Sequence, residues 1–226
     1  MAKSISFSRS LFILSINLTI LALISTTCNA ALFILGDSAF DAGNNNYINT
    51  SFQANYFPYG ETFFKYPTGR FSDGRLAPDF IAEYAKLPFI PPYLQPHEHE
   101  FKYGVNFASA GAGALVETRR GLVVDLKTQL GYFKNVSQLL RQKKGDAEAA
   151  DLLARAVYLF SVGGNDYAFA FETNSSVLRT YSPQQFVGLV IGNITTVIQV
   201  LLGSEISLLI SYMINIINYV LTHINK

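Results

Sequence analysis

Ser38 stands in the run Leu32-Phe33-Ile34-Leu35-Gly36-Asp37-Ser38-Ala39-Phe40-Asp41-Ala42-Gly43-Asn44-Asn45-Asn46, where an apolar strand delivers a serine into a turn crowded with glycine, aspartate and asparagine. That placement suits a nucleophile. A serine hydroxyl attacks poorly unaided, so acyl transfer also requires a base, an acid to orient it and donors for the oxyanion. Asp37 and Asp41 lie beside the serine, and their types in this setting read as turn and helix-start residues rather than as the acid of a triad. The imidazoles available as a base are His97, His99 and His223. His97-Glu98-His99-Glu100 has the alternation of a metal motif, but two imidazoles and two carboxylates after Pro96, with no cysteine nearby, read as a solvated loop. No metal site is expected.

The elements that must position these residues follow from periodicity. After the first strand, residues 47–96 are rich in tyrosine, phenylalanine, glycine and proline and read mostly as loop. Within them, Leu76, Phe80, Ile81, Tyr84 and Leu87 have helical spacing that ends before Pro88. Residues 103–107 predict a short strand running into Ala108-Ser109-Ala110-Gly111-Ala112-Gly113. A helix over about 125–141 carries Leu126, Leu130, Phe133, Val136, Leu139 and Leu140 on or near one face. Gly145-Asp146 breaks it, and a second short helix covers 147–154. Residues 156–162 predict a fully buried strand ending in Gly163-Gly164-Asn165-Asp166. Ser182-Pro183-Gln184-Gln185 opens a further helix that runs past Ile198, with Ser182 as cap and a glutamine three residues on. Strands alternating with helices predict an α/β fold with a parallel sheet, whose sites form at the carboxyl ends of the strands. All three polar segments fall there.

The bulk properties narrow the setting. A chain of 226 residues, half of them apolar, suits one ordinary domain or a large fragment of one. Residues 1–30 read as a secretory signal: Lys3 and Arg9 form its positive start, residues 11–24 its apolar stretch, and Cys28-Asn29-Ala30 its small-residue end. An uncleaved anchor is the alternative, although the apolar stretch is shorter than a span requires. Without Lys3 and Arg9, 15 basic residues face 16 acidic ones, a net charge of −1 against +1 for the whole chain. This balance leaves no footprint for nucleic acid. The single cysteine, Cys28, lies in the signal, so the remaining chain forms no disulfide. Sequons at Asn49, Asn135, Asn174 and Asn193 are candidate glycosylation sites.

Three blocks together resemble the plant GDSL esterase/lipase family, a branch of the SGNH hydrolases: residues 33–46, residues 105–113, and Val162-Gly163-Gly164-Asn165-Asp166-Tyr167. Residues 67–75 and Asp79-Phe80-Ile81-Ala82 also match segments typical of the plant branch. The resemblance covers roughly residues 31–200. It implies a three-layer α/β/α, flavodoxin-like SGNH-hydrolase fold and hydrolysis of carboxylic esters, with ester or lipid substrates and no cofactor. Ser38 is then the nucleophile, with oxyanion contacts from Gly111, Asn165 and the Ser38 amide. A glycine permits close approach of a backbone donor, and an asparagine amide donates to developing charge. Ala110 stands where many relatives carry a second glycine.

The family's catalytic aspartate and histidine lie in an Asp-x-x-His block, and none occurs here: the residue three before His223 is Val220. From about residue 200 the likeness gives way to a hydrophobic tail, 201–226, in which the fold is expected to be incomplete. Residues 201–222 could associate with a membrane, or mark an alternative or mis-spliced transcript. The expectation is a secreted hydrolase by lineage with impaired or absent activity. A noncatalytic binding protein, secreted or membrane-tethered, is the alternative.

Overall fold

In strand β1 (Leu32–Gly36), Phe33 and Leu35 point to one side and Leu32 and Ile34 to the other, and none is more than 2% exposed. A strand apolar on both faces must be covered on both, which makes it the middle of a parallel sheet. The computed structural model describes residues 30–96, 101–173 and 180–202. Among these, β2 (Gly104–Asn106) and β3 (Val157–Ser161) flank β1 in the order β2-β1-β3, all parallel. Phe33 stands opposite Val105 on one side and Tyr158 on the other. The sheet's carboxyl edge is therefore built by Gly36, Asn106 and Ser161 together.

The helices form a layer on each face. On one, α2 (Leu126–Lys144) and α5 (Pro183–Leu202) press Phe133, Val136, Val190 and Ile194 against Phe33 and Leu35. Phe33 meets the rings of Phe133 and Tyr158 at 5.3 and 5.6 Å. On the other face, α1 (Ala77–Tyr84) contributes Ala82, which packs with Ile90 against Leu32 and Ile34. The two short helices α3 (Asp146–Arg155) and α4 (Gly164–Glu172) flank β3 in sequence. The result is the expected three-layer α/β/α arrangement.

Helix ends follow local chemistry. Asp125 caps α2 by accepting from Thr128 N–H at 3.0 Å. Gly145 separates α2 from α3 at φ 85°. The expected capping pair opens α5: Gln185 N–H donates to Ser182 Oγ at 3.3 Å, and Ser182 N–H to Gln185 Oε1 at 2.8 Å. Although α5 is long and apolar enough to cross a membrane, Phe186, Val190, Ile194, Val197 and Ile198 bury a continuous stripe in the core.

Three expectations about burial are corrected. Of the apolar stripe expected for the first helix, Leu76 is buried and Leu87 packs on the core, but Phe80, Ile81 and Tyr84 are exposed, with Pro78, Asp79 and Ala82 buried instead. The rotation has an electrostatic cause: Arg70 Nε and Nη2 both donate to the Asp79 carboxylate at 2.8 Å, drawing the helix's polar side inward. β3 is likewise only partly buried, with Val157 46% exposed. Among the described residues it has one neighbouring strand and forms an edge. Leu139, placed near the apolar face of α2, is also exposed, while the polar Gln129 takes a fully buried position.

Candidate active site

Ser38 follows β1 in a turn built by Asp37. Asp37 C=O accepts from Phe40 N–H at 3.1 Å and Asp41 N–H at 3.0 Å, while Asp37 Oδ1 accepts from Ala39 N–H at 3.0 Å. These bonds curl the chain back and leave Ser38 half-buried beyond the strand end. Neither its hydroxyl nor its N–H has a hydrogen-bond partner among the described residues. The strand end itself is held tightly. Gly36 adopts φ 150°, and a Cβ there would collide with the Ser161 carbonyl. Gln129 clamps the same peptide: its Oε1 accepts Gly36 N–H and its Nε2 donates to Gly36 C=O, both at 2.8 Å. Asp37 N–H donates to Ser161 C=O at 2.9 Å, joining the turn to β3.

The loop after β2 is bound to this turn by side chains of the first block. Asp41 Oδ2 accepts Ala110 N–H at 2.9 Å, and its Oδ1 accepts the N–H groups of Gly43 and Asn44, each at 2.7 Å. Asn44 Nδ2 donates to the carbonyls of Asn106 and Ala108 at 2.9 and 2.8 Å. Asn45 Nδ2 donates to Ala110 C=O at 2.9 Å, and its Oδ1 accepts the Ser109 hydroxyl at 2.6 Å. Every one of these side chains is buried. Between them, Gly111 occupies φ 85°, a conformation that disfavours any residue with a Cβ. It too is buried, and its N–H has no partner among the described residues.

The third block closes on the second from the start of α4. Asp166 accepts Ala114 N–H, Leu115 N–H and the Thr118 hydroxyl at 2.8, 2.9 and 2.6 Å. Its neighbour Asn165 donates from Nδ2 to Ala112 C=O at 2.9 Å and accepts Arg119 Nη1 at Oδ1 at 2.7 Å. Ser38, Gly111 and Asn165 therefore lie on three loops at one sheet edge, cross-linked through Asp41, Asn45, Asp166 and Asn165 itself. Burial pushes the Asp41 carboxyl up to about 6 against the pull of its backbone donors. Burial also raises Asp37, opposed by Ala39 N–H and the Ser161 hydroxyl. Both carboxylates are occupied by turn backbone, as their residue types suggested.

Several of these residues escaped the sequence reading. Asn44, Asn45 and Asp166 were visible only as members of polar turns, without their partners. Gln129 did leave a signal, being polar at the centre of an apolar helix face. Arg119 left none, since it belongs to no predicted element. Of the other sites considered, Asn49, Asn135 and Asn193 are exposed. Asn174, His97, His99 and His223 lie outside the described residues, as do residues 1–29 of the signal and 203–226 of the tail. No cluster of three or more potential metal ligands occurs among the described residues.

A family model described as GDSL-like lipase/acylhydrolase matches residues 32–218. GDSL esterase/lipase 1 of Arabidopsis thaliana is 60% identical over 175 residues, covering 76% of this chain and 47% of the relative. The GDSL lipase of Tanacetum cinerariifolium is 56% identical over 172 residues, covering 75% of this chain and 45% of the relative. GDSL esterase/lipase 4 of Arabidopsis thaliana is 50% identical over 201 residues, or 84% of this chain and 53% of the relative. The chain thus spans about half the length of the curated relatives it matches. No solved structure matches it. By the extent of the family match and the identity to these plant proteins, the chain belongs to the GDSL-like lipase/acylhydrolase family and has its SGNH-hydrolase fold.

Proposed function

We propose that Ser38 is the nucleophile of a carboxylic-ester hydrolase site, and that this chain by itself turns esters over weakly. Ser38 Oγ attacks the ester carbonyl and loses its proton to a base; collapse of the tetrahedral intermediate releases the alcohol and leaves an acyl-serine, which water hydrolyses to the acid. The oxyanion rests on the N–H groups of Ser38 and Gly111 and on Asn165 Nδ2. The observation that carries this reading is that the Ser38 and Gly111 N–H groups have no partner among the described residues, on two loops held together by the buried side chains of Asp41, Asn44 and Asn45. A buried donor left open, as at Gly111, is costly unless something binds it.

The weak point is the base. No Asp-x-x-His pair stands in these 226 residues, and loss of a triad's general base typically removes ~10⁴–10⁶ of the rate. Two measurements test the proposal on the purified chain and its Ser38→Ala variant: p-nitrophenyl ester hydrolysis, and covalent labelling by a fluorophosphonate located by mass spectrometry. The expected outcome is slow labelling at Ser38, abolished in the variant, with near-background turnover. Labelling elsewhere would overturn the nucleophile assignment. Rapid serine-dependent turnover would overturn the impaired reading.

The chain is proposed to be secreted after removal of residues 1–30 and glycosylated among its exposed sequons. Its substrate is proposed to be an ester or lipid.

A further inference from the structure

We infer that Arg119 is a positioning residue for the oxyanion site, fixing which end of the Asn165 amide is available to a reacting oxygen. The inference rests on the proposed role of Asn165 as a donor. Arg119 Nη1 donates to Asn165 Oδ1 at 2.7 Å and to Gly111 C=O at 3.4 Å, so one guanidinium touches both loops that carry the proposed oxyanion donors. The guanidinium lies over the Phe52 ring at 4.9 Å, and the Arg119 backbone has φ 50°, uncommon for a residue with a side chain. Phe52 is itself tied to the first block through its carbonyl, which accepts Asn45 Nδ2 at 2.7 Å.

The chemistry explains why an arginine suits this place. The two ends of an asparagine amide are nearly identical in shape but opposite in hydrogen-bonding sense, so sterics alone cannot select an orientation. A guanidinium only donates and a carbonyl only accepts. With Arg119 on one side of Asn165 and Ala112 C=O on the other, only one flip satisfies both. The flipped amide would set its NH₂ against the cation and its oxygen against the carbonyl. In the observed orientation one Nδ2–H is used by Ala112, and the second remains for substrate. A charge-assisted bond at Oδ1 also polarises the amide and strengthens that remaining donor.

The test uses the full chain labelled with ¹⁵N-asparagine, with the Asn165 side-chain NH₂ signals assigned by their loss in Asn165→Asp. In the wild type they should form a dispersed, slowly exchanging pair. In Arg119→Met they should move to the shifts of a free amide, and Arg119→Lys, which keeps a cationic donor, should recover part of the dispersion. With imidazole supplied as external base, fluorophosphonate labelling of Ser38 should slow about tenfold in Arg119→Met, a fraction of the ~10²–10³ expected when an oxyanion donor is removed outright in Asn165→Ala. Unchanged Asn165 signals in a folded Arg119→Met would overturn the positioning role. If Arg119→Met fails to fold, Arg119→Lys decides: Asn165 NH₂ signals of reduced dispersion with slowed labelling support the role, and wild-type signals or wild-type labelling overturn it. Separately, wild-type labelling in Asn165→Ala would show that the donor reading itself fails, whatever the Arg119 variants do.

Discussion

Three aspartates in the site have their oxygens committed to neighbouring donors: Asp37 to Ala39, Asp41 to Gly43, Asn44 and Ala110, and Asp166 to Ala114, Leu115 and Thr118. Asp41 and Asp166 are struts between loops, while Asp37 shapes its own turn. Asp41 carries a pH consequence, because its folded carboxyl is raised from 3.8 to about 6 by burial. Between those values the folded state binds the proton more tightly than the unfolded chain. This group's contribution is therefore complete at the acid end and is lost as pH rises through about 6. In urea titrations at pH 4 to 7, the stability of the wild type relative to Asp41→Asn should fall with rising pH, by up to about 3 kcal/mol. A difference that stays flat or grows would contradict this. Asp37, also raised, acts in the same direction in both proteins.

At the scale of elements, a polar side chain buried on a helix can serve as a piece of sheet. Gln129 of α2 satisfies both backbone groups of Gly36 and donates as well to Val124 C=O at 2.8 Å. Leucine at this position would fit the apolar stripe but leave Gly36 N–H without a partner and Gly36 C=O with Ser109 N–H alone, at 3.0 Å. Gln129→Leu should cost about 2–4 kcal/mol in chemical denaturation while helix content by circular dichroism stays unchanged, since unmade buried hydrogen bonds carry the desolvation penalty. A loss below half a kcal/mol would refute the clamp. Helices, caps and strand positions were largely legible, because spacing and capping act over a few residues. The outward turn of Phe80, Ile81 and Tyr84 was not, because the Arg70–Asp79 ion pair that orients α1 depends on a loop fold.

For the whole molecule, β1 at the centre of the sheet means that the proposed signal ends where the core begins. Ala31, the first residue after the expected cleavage point, is fully buried, and its carbonyl accepts Val157 N–H at 2.8 Å just before β1 begins. Expressed through a secretory route, the chain should appear in the medium with Ala31 as its first residue. Its mass should fall on treatment with an N-glycosidase acting at some of Asn49, Asn135 and Asn193, all exposed. Retention in the cell with Met1 intact, established by N-terminal sequencing, would overturn both cleavage and secretion.

By itself the sequence determined the alternation of strands and helices, the three polar blocks at strand ends, the family, and Ser38 as the candidate nucleophile. These are local patterns, set by periodicity, turn chemistry and short runs of residue types. Only the tertiary structure decided which polar side chains bridge the blocks, which face α1 buries, and that Arg119 meets both Asn165 and Gly111. The face of α1 depends on an ion pair that a loop must fold to make, and the others depend on hydrogen bonds between residues 46 to 93 positions apart, such as Arg119 with Asn165 and Gln129 with Gly36. No short-range spacing encodes such pairs; they exist only once parallel pairing of β1, β2 and β3 has brought their carboxyl ends to one edge.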